Sequence, residues 1–176
     1  MGGRIAVVDA RDRFVRWEGR EHIHEARLVH RSIHVLLLDS RARLVIQRRH
    51  REKQTYPGHW DLSASGHVEE SDYPAGPDDD LDRVYRDVAA RELEEELGVR
   101  AALVELGHFG PEPGVHYEQL RLFTGSHDGP YVAQQDEVEA VTAVTRAELE
   151  ALGSREPITH TLLWFAERLA DRVGWR

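Results

Sequence analysis

Cysteine is absent from the 176-residue chain, which excludes disulfides and thiol catalysis alike. No apolar run is long enough to span a bilayer, and charged residues follow closely on the N-terminus. Neither a membrane span nor a signal peptide is expected, and a cytoplasmic location is the default. Positive charge is in deficit: 23 Lys and Arg against 32 Asp and Glu give a net −9. A nucleic-acid-binding module would carry a basic face, so that class is disfavoured. A small phosphorylated ligand is not disfavoured, because a bound metal and local Arg or Lys can reverse the field inside a cleft. Internal repeats are lacking too, and low complexity is confined to Tyr73–Asp82, whose Pro, Gly and Asp content reads as an exposed loop.

What is present suits one globular domain over residues 1–176, at 40% hydrophobic and 31% charged residues. Short apolar runs at Ile5–Val8 and Phe14–Trp17 predict an N-terminal hairpin over residues 4–17. Ser32–Leu38 and Arg43–Arg48 predict a second one. Further strands are expected at Trp60–Ala64, Ala101–Phe109, His116–Gly125 and Glu137–Val144. A helix is expected over Asp82–Leu97, with Asp79, Asp80 or Asp82 as N-cap. Thr145 is placed to cap a short helix at Arg146–Leu152 through Glu148, and Pro157 to open a last helix through about residue 172. Strands and helices intermix without strict βαβ alternation, so the fold class is α+β with a mixed sheet.

The most informative stretch is Arg91-Glu92-Leu93-Glu94-Glu95-Glu96-Leu97-Gly98-Val99. At about 100° per residue, Glu92, Glu95 and Glu96 share one helix face, while Ala89, Ala90, Leu93 and Leu97 share the other. Like charges at these spacings destabilise a bare helix, and a divalent cation removes that penalty; hard oxygen ligands suit Mg²⁺ or Mn²⁺. Gly98 is the natural helix stop.

This stretch resembles the second half of the Nudix box, Arg-Glu-apolar-x-Glu-Glu-x-Gly-apolar. The resemblance implies the family's α/β/α sandwich, a loop–helix–loop over residues 66–99, and cleavage of a diphosphate linked to another group. It also implies Glu92, Glu95 and Glu96 as metal ligands, with Arg91 orienting a glutamate through a salt bridge. Gly66, in Ser65-Gly66-His67-Val68-Glu69, resembles the start of the box. Arg91 lies too far downstream for the usual spacing, so an insertion is placed at about residues 71–82, either a lid or an inert surface loop. The upstream box carboxylate is then open: counting from Gly66 gives Asp72, counting back from Arg91 gives Arg83, and local resemblance gives Glu70.

Over roughly residues 27–152 the chain resembles the isopentenyl-diphosphate isomerase branch of that superfamily. The resemblance runs through His30-Arg31-Ser32-Ile33-His34, Gln47-Arg48-Arg49 with Lys53, and Tyr56-Pro57-Gly58-His59-Trp60-Asp61-Leu62-Ser63-Ala64-Ser65-Gly66-His67. Ser65 stands where the isomerases place a proton-transferring Cys. A hydroxyl is far less acidic than a thiol, so the chain resembles the hydrolase members better. The isomerases also carry a His-rich metal cluster. Its resemblance assigns His34, His67 and Glu118, with His116 in place of a Glu and Arg27 in place of a His. These residues either form an altered site preferring Zn²⁺ or Mn²⁺ or are histidines lining the cleft.

The resemblance further gives Arg49 and Lys53, with Arg48 adjacent, as phosphate contacts. On a strict strand Arg48 and Arg49 face opposite sides, so at most one should enter the site. Glu118 is the first choice of general base and Glu137 or Glu139 the second; Trp60 and Tyr117 are candidates to stack on a substrate. The expected function is metal-dependent hydrolysis of a small-molecule diphosphate. An isomerase with Ser65 for Cys and a non-catalytic diphosphate binder are the alternatives. The N-terminal hairpin and C-terminal helix each offer a face for a homodimer.

Overall fold

The computed structural model describes residues 3–176. The chain runs β1 (Arg4–Val8), β2 (Phe14–Gly19), α1 (Arg20–Ala26), β3 (His30–Leu38), β4 (Leu44–Arg49), β5 (Trp60–Asp61), β6 (Ala64–His67), α2 (Leu81–Leu97), β7 (Val104–Phe109), β8 (Glu118–Ser126), β9 (Val138–Val144), α3 (Arg146–Gly153) and α4 (His160–Val173). The described strands join one mixed sheet. β3 pairs in parallel with β8 from His30↔Glu118 to Leu38↔Ser126; the other pairings are antiparallel. Both hairpins expected from sequence form, and the segment Trp60–Ala64 resolves into two strands separated by Leu62 and Ser63.

Every residue of β3 is buried, which is what a central strand covered on both faces requires. Its alternation splits the core into two layers. Ile33, Val35 and Leu37 point to one layer with Val84, Tyr85, Val88, Ala89, Leu93 and Leu97 of α2. Leu36 and Leu38 point to the other, against Leu149 of α3 and Leu162, Phe165 and Leu169 of α4. The result is an α/β/α sandwich. In α2 the stripe differs from expectation at its edge: Ala89 is buried, Ala90 is exposed and Glu96 is buried.

Helix ends follow the sequence in part. The Thr145–Glu148 capping box is present, and Gly98 closes α2 at φ 66°. Asp80 occupies the N-cap of α2 at φ 49°, yet its side chain makes no capping hydrogen bond. Pro157 does not open α4. Its carbonyl accepts from Trp60 N, and Thr159 caps the helix instead through Leu162 N. The helix α1 was not anticipated; seven residues with Ile23 alone buried leave no periodicity to read.

The inserted segment is anchored, not loose. Tyr73 lies in the core, and Asp78 accepts from Phe14 N at 3.0 Å and from Arg31 at 2.7 Å. No residue from 71 to 82 lines the large cleft described below.

Candidate active site

β3 runs beside β6 over Ser32–Val35 and beside β4 only at Leu37 and Leu38. Ser63 bridges the fork, donating to Val45 O at 2.5 Å and accepting from Leu37 N at 2.8 Å. Between the diverging strands opens a cleft of about 540 Å³. Because β6 pairs with β3 alone, its outer edge is free, and groups from both layers meet across it.

From the α2 side come the carboxylates. Ser65 N, on the free edge of β6, donates to Glu96 at 3.1 Å, and Gln47 Nε2 of β4 donates to the same oxygen at 2.6 Å. Glu92 presses against Gly66, where a Cβ would lie 2.2 Å from Glu92 Cδ, so any other residue would displace the glutamate. Burial pushes Glu92 up to about 7; burial and the neighbouring Glu92 charge push Glu96 up to about 8. Arg91 reaches Glu92 at 2.9 Å, Glu95 at 3.2 Å and Asp72 at 3.2 Å. Of the three residues left open for the upstream position, Asp72 is the one that contacts Arg91. Glu70 does not, being held by Arg4 at 2.6 and 2.7 Å, and neither does Arg83, which pairs with Asp87 on the exposed side of α2. Glu95 faces Arg91 and is about half exposed, its side chain at 51%. The chemistry of this donor set fits a hard divalent cation: buried carboxylate oxygens of like charge, with too little protein cation to balance them.

From the opposite face come the imidazoles. The register His30↔Glu118 on β3–β8 and Ser32↔His67 on β3–β6 points these side chains to one side of the sheet. Ligand atoms of His30, His67 and Glu118 lie within 4.8 Å of one another. His30 Nδ1 lies 2.8 Å from Leu28 O and serves as its donor, which leaves Nε2 to accept; His30 Nε2 and His67 Nε2 are buried without a hydrogen-bond partner. Of the residues the sequence assigned, His67 and Glu118 fall in this cluster, joined by His30. His34 Nε2 and His30 Nε2 each lie 3.7 Å from Glu118, and His116 lines the cleft while accepting from Glu118 N at 3.3 Å. Arg27, just past α1 and at the cleft, lies over Tyr117, and His24 of α1 approaches His67. Burial, with the His30 charge adding, holds His67 well below the usual imidazole range. Glu118 is itself held well below the carboxylate range: burial opposes this, but the hydrogen bond from His34 and the charges of His30, His34 and His67 prevail.

Cations line the remaining wall. Arg49 and Lys53 face the cleft, whereas Arg48 points away to Gly58 O, Glu139 and Glu156, as strand alternation requires. Burial, then the Arg49 charge, pushes Lys53 down, and it pairs with Glu137 at the cleft edge. Glu139 is outside, taken by Arg48 and Arg51. Trp60 is outside as well, in the α4 layer with its Nε1 on Glu156; Tyr117 and Tyr56 sit exposed at the rim. Sequence reasoning assigned no role to Arg20 and His24 on the short helix α1, nor to Asp61, though Asp61 lies within the stretch that carries the resemblance.

Residues 28–165 match the NUDIX domain. An uncharacterized Nudix hydrolase of Pseudomonas aeruginosa is 39% identical over 136 residues, 76% of this chain and 73% of that protein. An isopentenyl-diphosphate Delta-isomerase of Aromatoleum aromaticum is 29% identical over 98% of this chain and 87% of its own. A crystal structure from Deinococcus radiodurans shares the fold with a TM-score of 0.77 at 22% identity, covering 94% of this chain and 98% of that one. The helix carboxylates, the fork and these likenesses together place the chain in the Nudix family.

Proposed function

We propose that this chain hydrolyses the P–O–P linkage of a small diphosphate compound, using Mg²⁺ or Mn²⁺ at Glu92, Glu95 and Glu96. The observation that carries the reading is the burial of Glu92 and Glu96 side by side in a cleft whose facing wall is lined by Arg49 and Lys53. A divalent cation there supplies Lewis-acid neutralisation of the charge that builds on phosphate oxygens. Arg91, braced by Asp72, orients Glu92 and Glu95. Arg49 and Lys53 hold the phosphates by charge-assisted hydrogen bonds.

Glu118 is tied to Ser32 Oγ at 2.9 Å and surrounded by imidazoles, an environment that suits a ligand better than a base. Glu137 becomes available when a phosphate takes Lys53 from it, and it is the proton acceptor for the attacking water. His30, His67 and Glu118 then hold a second cation, with the imidazole donors favouring Zn²⁺ or Mn²⁺ over Mg²⁺. Metal analysis of a Glu92→Gln/Glu95→Gln/Glu96→Gln variant checks this: residual metal that His67→Ala removes supports the second centre, and none at all sinks it.

The isomerase-like relatives favour a second reading, conversion of isopentenyl diphosphate, which Ser65 and the absence of Cys oppose. The deciding experiment is phosphate or nucleotide release from nucleoside di- and triphosphates, nucleotide sugars, dinucleotides and prenyl diphosphates, comparing wild type with Glu96→Gln. Release that collapses in the variant supports the hydrolase. Conversion of isopentenyl diphosphate without release supports the isomerase, and tight binding without turnover a binding protein.

A further inference from the structure

Asp61 is a buried carboxylate facing the cleft, 5% exposed, that neither the metal nor the base assignment uses. Both its oxygens are occupied. Oδ1 accepts from its neighbour Leu62 N at 2.9 Å and from Thr159 Oγ1 at 2.8 Å; Oδ2 accepts from Arg49 at 3.3 Å. Thr159, 1% exposed, is the N-cap of α4, so its hydroxyl accepts from Leu162 N while donating to Asp61. On Arg49, Nε donates to Thr55 O at 3.0 Å, one terminal nitrogen to Thr55 Oγ1 at 3.1 Å, and the other to Asp61. Each terminal nitrogen keeps a further N–H unbonded, and the residue borders the cleft.

We propose that Asp61 and Thr159 are positioning residues that fix the Arg49 guanidinium for a phosphate group, so that the start of α4 sets the geometry of the phosphate wall. This rests on the reading of Arg49 as a phosphate contact. The charge balance supports it. Asp61 has no other cation within salt-bridge distance among the described residues, and a buried carboxylate needs one. The side chain cannot serve as a base while three donors hold it. An arginine with all but its outer N–H groups fixed loses little freedom when a phosphate arrives, which is where pre-organisation gains affinity.

The test uses inorganic pyrophosphate in Mg²⁺ as probe, by calorimetry, with kcat and KM on whichever substrate the panel reveals. Asp61→Asn keeps an acceptor for Leu62 N and Thr159 but turns a donor toward Arg49. It should weaken pyrophosphate on the order of tenfold and raise KM alike, with kcat little changed. Thr159→Val should act in the same direction and Thr159→Ser should restore binding. In an Arg49→Gln background Asp61→Asn should add nothing. If Arg49→Gln leaves pyrophosphate binding intact, the phosphate reading of Arg49 is wrong. If Arg49→Gln weakens binding while Asp61→Asn and Thr159→Val do not, the positioning role alone is wrong. Should Asp61→Asn fail to fold, the Thr159 pair decides.

Discussion

His30 and Arg31 are neighbours on β3, face opposite layers, and live under opposite rules. Arg31 is wholly buried, yet its guanidinium is matched on every side: Asp12 at 2.7 Å through Nε, Asp12 O at 2.5 Å, Asp78 at 2.7 Å, Tyr73 Oη at 3.2 Å and the Pro77 carbonyl. His30, one residue back, is nearly as buried, and its Nε2 has no partner among the described residues; the same holds for His67 Nε2, His116 Nε2 and His34 Nδ1. Buried polar groups are almost always satisfied, so a cluster of unsatisfied ones beside raised-pKa carboxylates marks a place kept open for a ligand. The satisfied cluster fastens the inserted loop to the N-terminal hairpin. The unsatisfied one is where chemistry is expected.

Breaking the satisfied side should give the largest effect on stability. Arg31→Met leaves Asp12 buried without its cation, and losing one partner of a buried pair costs about 3–5 kcal/mol. Urea unfolding should show that loss. An unchanged midpoint would mean that the cluster relaxes into water and does not hold the loop.

Breaking the carboxylate wall of the open cleft should do the reverse. Glu96→Gln should cut turnover about a hundredfold, roughly 2.7 kcal/mol, without lowering the unfolding midpoint. The amide oxygen can still accept from Gln47 and Ser65, while the buried charge is gone. A variant that loses activity only because it unfolds would erase the contrast between the two clusters.

The pH dependence sharpens the same point. In chelator, folded Glu92 and Glu96 keep protons up to about 7 and about 8, whereas the unfolded chain has released them near the ordinary carboxylate value. The folded state therefore binds more protons across that window, and stability falls as pH rises. His24, His67 and His116, lowered by burial, work the other way, but only below about 6.5, where the unfolded imidazoles protonate. Between about pH 7 and 8.5 the carboxylates dominate. Melting temperature should drop across that range in chelator, and Mg²⁺ should raise it more at the upper end than at the lower. A flat profile would show that the carboxylates ionise freely without metal.

The legible and illegible parts of the site divide along the same physical line. Local signals survived: the hairpins, the Thr145–Glu148 box, Gly98 and the carboxylate face of α2 all depend on residues a few positions apart. The choice of Asp72 over Glu70 depended on Arg4, far away in sequence, taking Glu70. That His30 falls with His67 and Glu118 depended on the register of β3 against β8 and β6, which no single strand encodes. α1 had no pattern, and Asp61, though within the stretch that carries the resemblance, had no assigned role; their importance comes from what the fork brings beside them.

The smallest effect expected tests a pair whose choice the sequence could frame without deciding. Arg48 and Arg49 are adjacent on β4, and alternation admits only one to the cleft. Arg48 is spent on Gly58 O and the surface carboxylates Glu139 and Glu156, partly exposed contacts that contribute at most about 1 kcal/mol each. Arg48→Ala should therefore leave KM within about twofold, or about 0.4 kcal/mol, and Arg49→Ala should not. Equal losses at both positions would mean that the bulge between Arg48 and Arg49 lets the strand present either side chain, and that the cleft wall is less fixed than Asp61 and Thr55 make it.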